Sequence, residues 1–531
     1  MKQIEQSKSP DESSRSLHRD RTQKIARDGT KVIALGAMCL ALFMTNFDGT
    51  AMDVALPQIQ KNLGANVTGL QWILNGYLLP VASLILASGK LGDIFGRKRI
   101  FLLGLTLFTI ASTICGFAPN LELLITGRVL QGIGAAAVIP LSLTIVTASF
   151  PDLKERTKAI GIWSAVSALA MVAGPGLGGL LVDVLGWQSI FLSNVPLGVM
   201  TLILTSRGVR EDRDLPKEPL DVPGLVLSIT AIASLTYALT QGSNGTWLSP
   251  PMIGLLIMAG LSFLGFWLVE SHSSHPIIPL SLLKNQTFAA IISTQTLVFF
   301  ASGGMFFILS LFLQQVQGYS AAVTGLCFLP MNGAIILAAF TSGWVAARFG
   351  WRFPIISGLV MASIAILSLT HTHVDTKYGE ILWYLVLSGF GGGLTIAPLA
   401  TAGMNSVLPD QEGIASAVSS MSIQFGGILG IAIQGTILSQ RLSSKLRQSL
   451  TEWNVPPDLQ DKVITDTLHN LAKVPNDIPS TLSPLVLHQE IRNAFVSGLQ
   501  VTLFVAGLAM LLGIVFILLL VPSKLKSRSQ T

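Results

Sequence analysis

Ionisable side chains are scarce in the apolar stretches of this chain, and two of them, Asp48 and Arg128, lie at matching depths. Asp48 falls sixteen residues into an apolar run that opens near residue 32, hence about 24 Å along a helix and about 9 Å short of the run's far end at Val54. Arg128 falls seven residues into a run that opens near Leu121, about 10 Å from the same face. A charged group in hydrocarbon costs about 2.5–3.5 kcal/mol on insertion scales, so each marks a functional position by default. The chemistry this pair offers is proton exchange in a shared cavity. The guanidinium favours the ionised carboxylate and desolvation disfavours it, so exposure to one side of a membrane and then the other would load and unload a proton. A purely structural ion pair, or two side chains reaching separately to the interface, is the plainer alternative. Asp53 and Glu122 lie nearer the outer surface; they read first as solvated charges at loop edges and second as further proton-coupling groups. Gln131 follows Arg128 by three residues and shares its helix face. Trp72 and Tyr77, near the outer end of the next run, fit either an interfacial aromatic belt or, with Gln131, the wall of a substrate pathway.

Other chemistries lack their residues. Cys39, Cys115 and Cys327 are far apart and each sits inside an apolar run, which excludes a disulfide framework and a Cys-x-x-Cys metal site. His272, His275, His371 and His373 fall at predicted loop edges without metal-ligand spacing. The chain has no glycine-rich phosphate loop and no nucleophile with a base, so neither ATP-driven work nor enzymatic activity is expected, and no cofactor or metal.

The elements that must position these residues are membrane helices. Of 531 residues, 50% are hydrophobic and 12% charged, where soluble domains carry roughly 25% charged. Apolar runs of about 20 residues, each long enough to cross a hydrocarbon core about 30 Å thick, recur along nearly the whole length. Hydropathy places fourteen spans near 32–54, 69–89, 99–117, 121–149, 158–182, 188–206, 221–241, 252–270, 287–313, 322–347, 354–371, 380–403, 413–439 and 497–521. Residues 1–31 are polar and highly charged, unlike a secretory signal, so the first run is expected to stay as a span.

An even number of spans puts both termini on one side. Basic residues cluster in alternate loops: Arg15, Arg19, Arg21, Lys24, Arg27 and Lys31; Arg97 to Arg99; Lys154, Arg156 and Lys158; Arg207, Arg210, Arg213 and Lys217; then Lys284, Arg348, Arg352, Lys524, Lys526 and Arg528. Short loops of the other parity carry only Lys61 and Lys377, so both termini are expected in the cytoplasm. The net charge of +6 thus records orientation and is no sign of a nucleic-acid partner.

Two charged turns divide the chain. Gly89-Lys90-Leu91-Gly92-Asp93-Ile94-Phe95-Gly96-Arg97-Lys98-Arg99 follows the second span, and Gly343 to Arg352 repeats its glycines seven apart, with a basic residue just after, beyond the tenth. If one turn is built twice, the expected organisation is a polar tail at 1–31, a six-helix half at 32–206, an inserted helix pair with its loops at 207–286, and a second six-helix half at 287–521. That second half includes an extracytoplasmic loop at 440–496, which contains possible amphipathic helices, and a cytoplasmic tail follows at 522–531. In the first turn, Gly89 and Gly96 permit a close backbone crossing, Asp93 is placed to meet the first-turn amides of the next helix, and Arg97 to Arg99 hold the cytoplasmic side. In the fifth span, Gly174-Pro175-Gly176-Leu177-Gly178-Gly179 would make a bendable, closely packed interface, serving packing or gating.

These residues resemble the major facilitator superfamily, and within it the fourteen-span drug:proton antiporters of the EmrB/QacA type, over about 32–521. Gly89-x-Leu91-x-Asp93-x-x-Gly96-Arg97-Lys98 is similar to the superfamily's signature loop, with Ile94 where a basic residue is usual. Arg128-x-x-Gln131-Gly132-x-Gly134 resembles the motif assigned to proton coupling, and Gly174-Pro175-x-x-Gly178-Gly179 the antiporter motif, with Ala170 in place of its leading glycine. Asp48-x-Thr50-x-x-Asp53 resembles the first-span motif of the fourteen-span group, with Asp53 in place of asparagine. In span thirteen Ile423 stands where that group often has an arginine, which shifts the expected coupling toward the first half.

The resemblance implies an all-helical major facilitator fold in the inner (plasma) membrane, exporting hydrophobic, amphipathic or cationic compounds in exchange for protons. Its partners would be a small-molecule substrate, protons and the lipid bilayer, with a periplasmic adaptor left open. An exporter of one dedicated metabolite or siderophore is the alternative, and a non-transporting membrane sensor a more distant one.

Overall fold

The computed structural model of the chain describes residues 10–211, 221–242, 249–273, 276–408, 411–469 and 483–522, with only the backbone over 10–28. The sequence-expected roles of Arg15, Arg19, Arg21, Lys24 and Arg27 therefore rest on undescribed side chains, and those of Arg213, Lys217, His275, Lys524, Lys526 and Arg528 fall outside the described residues.

The described residues form sixteen α-helices: α1 (Pro10–Leu63), α2 (Val67–Phe95), α3 (Arg97–Gly116), α4 (Leu121–Ser149), α5 (Leu153–Leu185), α6 (Gln188–Gly208), α7 (Val222–Gln241), α8 (Pro250–His272), α9 (Leu280–Lys284), α10 (Gln286–Leu311, continued by a π-helical turn Phe312–Val316), α11 (Ala321–Phe349), α12 (Arg352–Leu369), α13 (Tyr378–Asn405), α14 (Glu412–Glu452), α15 (Pro457–His469) and α16 (Pro484–Leu520). Fourteen of them are long and apolar enough to cross a bilayer, the number hydropathy gives, and the chain is a multi-pass membrane protein. Polar side chains start several of them. Asn66 accepts from the amide of Gly69, Asn120 from Leu123, Asp152 from Lys154 and Glu155, and Asp221 from Gly224, each satisfying amides a helix start leaves open.

Helices α1 to α6 pack on one another, as do α10 to α14 with α16, and α7 pairs with α8. The two six-helix groups meet where α5 lies on α11, α2 on α14 and α1 on α10; α7 fills the outside of the α2–α14 seam. Lipid supplies no hydrophobic drive between helices, so small residues must allow the close approaches. Across α5–α11 a Cβ on Gly179 would strike the backbone of Ala321, and one on Gly325 the carbonyl of Pro175.

The repeated turn is visible in the backbone. Gly96 (φ 104°) closes α2 with its N–H on the Gly92 carbonyl, and Gly350 (φ 80°) closes α11 with its N–H on Ala346, both in a region that favours glycine. Each is followed by a basic residue held by the last helix of its own group: Lys98 Nζ donates to the Ser206 and Val209 carbonyls, and Arg352 Nη2 to the Leu518 carbonyl.

One expectation is corrected. The first span does not end near Val54, because α1 continues to Leu63. The stretch 440–496 is helical where it is described, in keeping with the possible amphipathic helices of its sequence: α14 runs on to Glu452, α15 is a separate amphipathic helix, and α16 starts at Pro484. Leu442, Leu446, Leu450, Val463, Ile464, Leu487 and Ile491 bury their apolar faces in the main core, which hydropathy averaging over mixed polar residues hides. This helical cap sits at the end away from the start of α1 and the end of α16, hereafter the distal end. It reaches α1 through Gln60 Nε2, which donates to the Leu468 carbonyl, and through His469, whose Nδ1 lies 3.0 Å from the Gly64 carbonyl.

Candidate functional site

Asp48 and Arg128 meet directly. Arg128 Nη1 lies 2.5 Å from Asp48 Oδ2, and the two residues are 1% and 0% exposed. The other carboxylate oxygen, Oδ1, accepts from Gln131 Nε2 at 3.2 Å and from Asn194 Nδ2 at 2.9 Å. The guanidinium is held on its remaining sides: Nη1 also donates to Gln131 Oε1 (2.9 Å) and Nε to the Ile73 carbonyl (3.1 Å), with the Tyr77 ring 4.5 Å and the Phe191 ring 5.7 Å from the guanidinium carbon. Gln131 Nε2 donates in addition to Ser112 Oγ at 2.7 Å. One buried polar network thus takes side chains from α1, α2, α3, α4 and α6.

The expected cavity around the pair is absent from this arrangement: both groups are enclosed by protein, and the partners of the carboxylate are side chains. Charge balance explains the enclosure. A buried anion and cation satisfy each other, whereas breaking such a pair costs about 3–5 kcal/mol because the survivor stays uncompensated. The network softens that cost on one side. If the carboxylate takes a proton, Arg128 keeps the Ile73 carbonyl, Gln131 Oε1 and two aromatic faces, and a cation over such a face gains about 0.5–2 kcal/mol.

Tyr77 is therefore no belt anchor: it is 4% exposed, faces Arg128, and its hydroxyl donates to the Thr45 carbonyl at 3.4 Å. Trp72 is half-buried on α2 against Tyr237 of α7, ring centres 5.5 Å apart. Asp53 is not at a loop edge, since α1 continues past it; it is partly buried, and its backbone carbonyl accepts from Ser310 Oγ at 2.6 Å. Glu122 is exposed in the first turn of α4, away from the buried network. Asn194, Ser112 and Phe191 were not singled out from the sequence. Asn194 had a signal, an amide in the middle of an apolar run, but no charged residue on its own helix face marks it as Arg128 marks Gln131.

The antiporter-like motif lies beside this network. A Cβ on Gly174 would strike Thr50 and one on Gly178 would strike Ala51, so α5 is pressed onto α1 two to three residues from Asp48, while Pro175 and Gly179 face α11. In the signature turn, Asp93 does not reach the first-turn amides of α3. Its Oδ1 accepts from Arg97 Nε and lies 2.9 Å from Nη2, while the Lys98 amide is taken by Glu211 Oε1 at 3.2 Å. Asp93 precedes Arg97 by four residues across the Gly96 turn, which brings the guanidinium back over the carboxylate before the amides. Gly89 has open space where a Cβ would stand.

Bonds joining the two six-helix groups gather at the distal end. Gln71 Nε2 donates to the Ile431 and Ala432 carbonyls, Gln314 Nε2 to Val54, and Gln315 Nε2 to Gln60 Oε1. Asp183 of α5 accepts the Ala321 and Ala322 amides at 3.2 and 2.9 Å, capping α11 from the opposite group.

Residues 38–431 match the model of the Major Facilitator Superfamily. The chain is 36% identical over 485 residues to Multidrug resistance protein Stp of Mycobacterium tuberculosis, covering 90% of this chain and 89% of that one. It is 32% identical to the Tetracenomycin C resistance and export protein of Streptomyces glaucescens, covering 90% and 88%, and 35% identical to the Methylenomycin A resistance protein of Bacillus subtilis, covering 77% and 88%. Among solved structures, the fold is similar to a bacterial homolog of the human lysosomal transporter Spinster (TM-score 0.59, 18% identity, covering 92% and 98%). It is also similar to the D-xylose-proton symporter (TM-score 0.55, 12% identity, covering 83% and 96%).

Proposed function

The chain belongs to the Major Facilitator Superfamily, and from that premise we propose that it exports hydrophobic, amphipathic or cationic compounds across the inner (plasma) membrane in exchange for protons. The names of its relatives, for multidrug resistance and for export of a single compound, support outward movement of small molecules. The observation that carries the proton half of the reading is the burial of Asp48 against Arg128, Gln131 and Asn194, where a carboxylate has one cation and two neutral donors. With basic loops on the cytoplasmic side, both termini lie in the cytoplasm and the distal end faces outward.

In this reading residues 32–206 and 287–521 are the two rocking bodies, and 207–286 an inserted pair riding on the α2–α14 seam. The bonds at the distal end hold the outside shut. Rocking parts that end and opens the network to the outside, where substrate leaves and Asp48 takes a proton; return to the first arrangement delivers the proton inward and admits the next substrate from the cytoplasm. Asp53 and Glu122 would act as secondary carriers on the outward path, Trp72, Tyr77 and Gln131 would border the substrate's route, and the signature turn (Gly89, Asp93, Gly96, Arg97) and Gly174, Pro175, Gly178 and Gly179 would set the travel of the helices. Export of one dedicated compound is the second reading, favoured by relatives named for methylenomycin A and tetracenomycin C. A panel of lipophilic cations and single antibiotics, offered to reconstituted vesicles under an imposed pH gradient, separates the two. Accumulation of several unrelated compounds supports broad efflux, accumulation of one supports the second reading, and none with any gradient overturns both.

A further inference from the structure

The seam where α7 lies against α2 and α14 buries polar groups that are left unpaired. Asn75 of α2 is 0% exposed, and neither its Oδ1 nor its Nδ2 has a hydrogen-bond partner; the same holds for Thr236 Oγ1 and Thr240 Oγ1 of α7, both residues again 0% exposed. Gln71, one turn before Asn75, commits its Nε2 to the Ile431 and Ala432 carbonyls of α14 and leaves Oε1 without a partner. A buried polar group with no partner is a standing cost to the arrangement that buries it.

Helix periodicity sets these groups on facing surfaces. Gln71, Asn75, Leu79 and Ala82 fall on one face of α2, and Ile232, Thr236 and Thr240 on one face of α7. Those faces meet, because Ala82, Ile232 and Ile428 of α14 form one apolar cluster with Leu78, Leu79 and Phe425 packed against it. The two helices run in opposite directions. Asn75 stands seven residues, about 10 Å, from Ala82 toward the distal end, and Thr236 and Thr240 stand four and eight residues, about 6 and 12 Å, from Ile232 in the same direction. The polar groups therefore form a layer on the distal side of an apolar floor.

Helix α7 is held unequally by its two neighbours. Toward α14 the polar groups are paired: the Leu239 carbonyl accepts from Thr436 Oγ1 at 2.8 Å and the Gly242 carbonyl from Gln440 Nε2 at 2.9 Å. Toward α2 it sets the Tyr237 ring on Trp72 and the Ile232 side chain on Ala82, contacts that carry no directional bond. At the opposite end Leu86, Leu225, Phe266, Phe288 and Val418 seat α2, α7, α8, α10 and α14 in one apolar cluster. Parting of the distal end thus follows the α2 side of α7, where polar atoms gain partners by it.

On the reading that the distal end opens during transport, we propose that α7 travels with α14 and that the outward cleft opens between α2 and α7. There Gln71, Asn75, Thr236 and Thr240 hydrogen-bond neutral polar groups, either water or the carbonyls and hydroxyls of the exported compound. The set offers donors and acceptors without charge, which suits such groups and neither an ion nor a metal.

Hydrogen–deuterium exchange of the full-length protein in liposomes, read over the distal halves of α2 and α7, tests this without a transported compound. In a background with Cys39, Cys115 and Cys327 replaced by serine, a short reducible cross-linker joining Trp72→Cys to Tyr237→Cys should suppress exchange there, and reduction should restore it. The same linker joining Leu239→Cys to Thr436→Cys should leave exchange unchanged. Asn75→Leu, which takes the unpaired amide out of the shut arrangement, should slow exchange about tenfold by itself. Suppression by the α7–α14 link as large as that by the α2–α7 link would overturn the proposal, as would failure of either the α2–α7 link or Asn75→Leu to slow exchange. Doxorubicin, a cation with ketones and hydroxyls, and tetraphenylphosphonium, a cation with neither, identify the occupant: protection of the wild type by the first alone assigns the groups to the compound, and protection by neither or by both alike assigns them to water. Gradient-driven export with the cross-link pattern reversed would remove the cleft and spare the transport reading, whereas the expected pattern without export of any compound would do the converse.

Discussion

Asp48 has a guanidinium on one oxygen and two carboxamides on the other, and each partner makes a different forecast. Arg128→Ala strands a buried carboxylate, and unfolding in detergent should show a loss of about 3–5 kcal/mol, most of it recovered when Asp48→Asn is added. Asn194→Ala leaves the ion pair whole and removes one bond to a charged group, so the loss should be about 1.5–3 kcal/mol. Equal melting of Asn194→Ala and wild type would exclude Asn194 from the network. At this scale the sequence was half legible. The matching depths of Asp48 and Arg128 follow from counting residues along helices, but Asn194, Ser112 and the Tyr77 ring converge from other helices, and that convergence depends on packing which no single run of residues encodes. The Asp93 contact failed for a related reason: a guanidinium four residues on, folded back at Gly96, outcompetes the amides for the carboxylate.

The helix that couples the halves most visibly is α5, with one face on α1 and the other on α11. Its Asp183 caps α11 across the seam, and such a cap is worth about 1 kcal/mol, or roughly a fivefold change in an equilibrium. Asp183→Ala should therefore raise the labelling rate of an Ala321→Cys reporter, buried in this arrangement, by roughly that factor. Gly179→Leu should act in the same direction and more strongly, because overpacking costs about 1–3 kcal/mol and its side chain would meet the Ala321 backbone. Unaltered labelling in both variants would show that this seam does not govern opening of the distal end. The glycines of α5 were readable as a close-packing device; that their two faces serve two different helices was not. The cap at 440–469 was readable only as possible amphipathic helices, because its leucines are spaced among charges; that α14 itself runs on to Glu452 before α15 begins was not.

The whole molecule was the most legible scale, because a bilayer demands long apolar helices and leaves few other options. The repeat was written in two glycines, Gly96 and Gly350, each ending a helix in a positive-φ turn before a basic anchor. In the proposed cycle, the rocking of the two groups turns on the buried acid. The most direct measurement compares wild type and Asp48→Asn in sealed vesicles with an imposed pH gradient, alongside substrate-for-substrate exchange without one. Gradient-driven transport by Asp48→Asn should fall on the order of 10²-fold or more, the scale on which a positioned proton-transfer group acts, while exchange continues. Gradient-driven transport by Asp48→Asn at the wild-type rate would contradict the account.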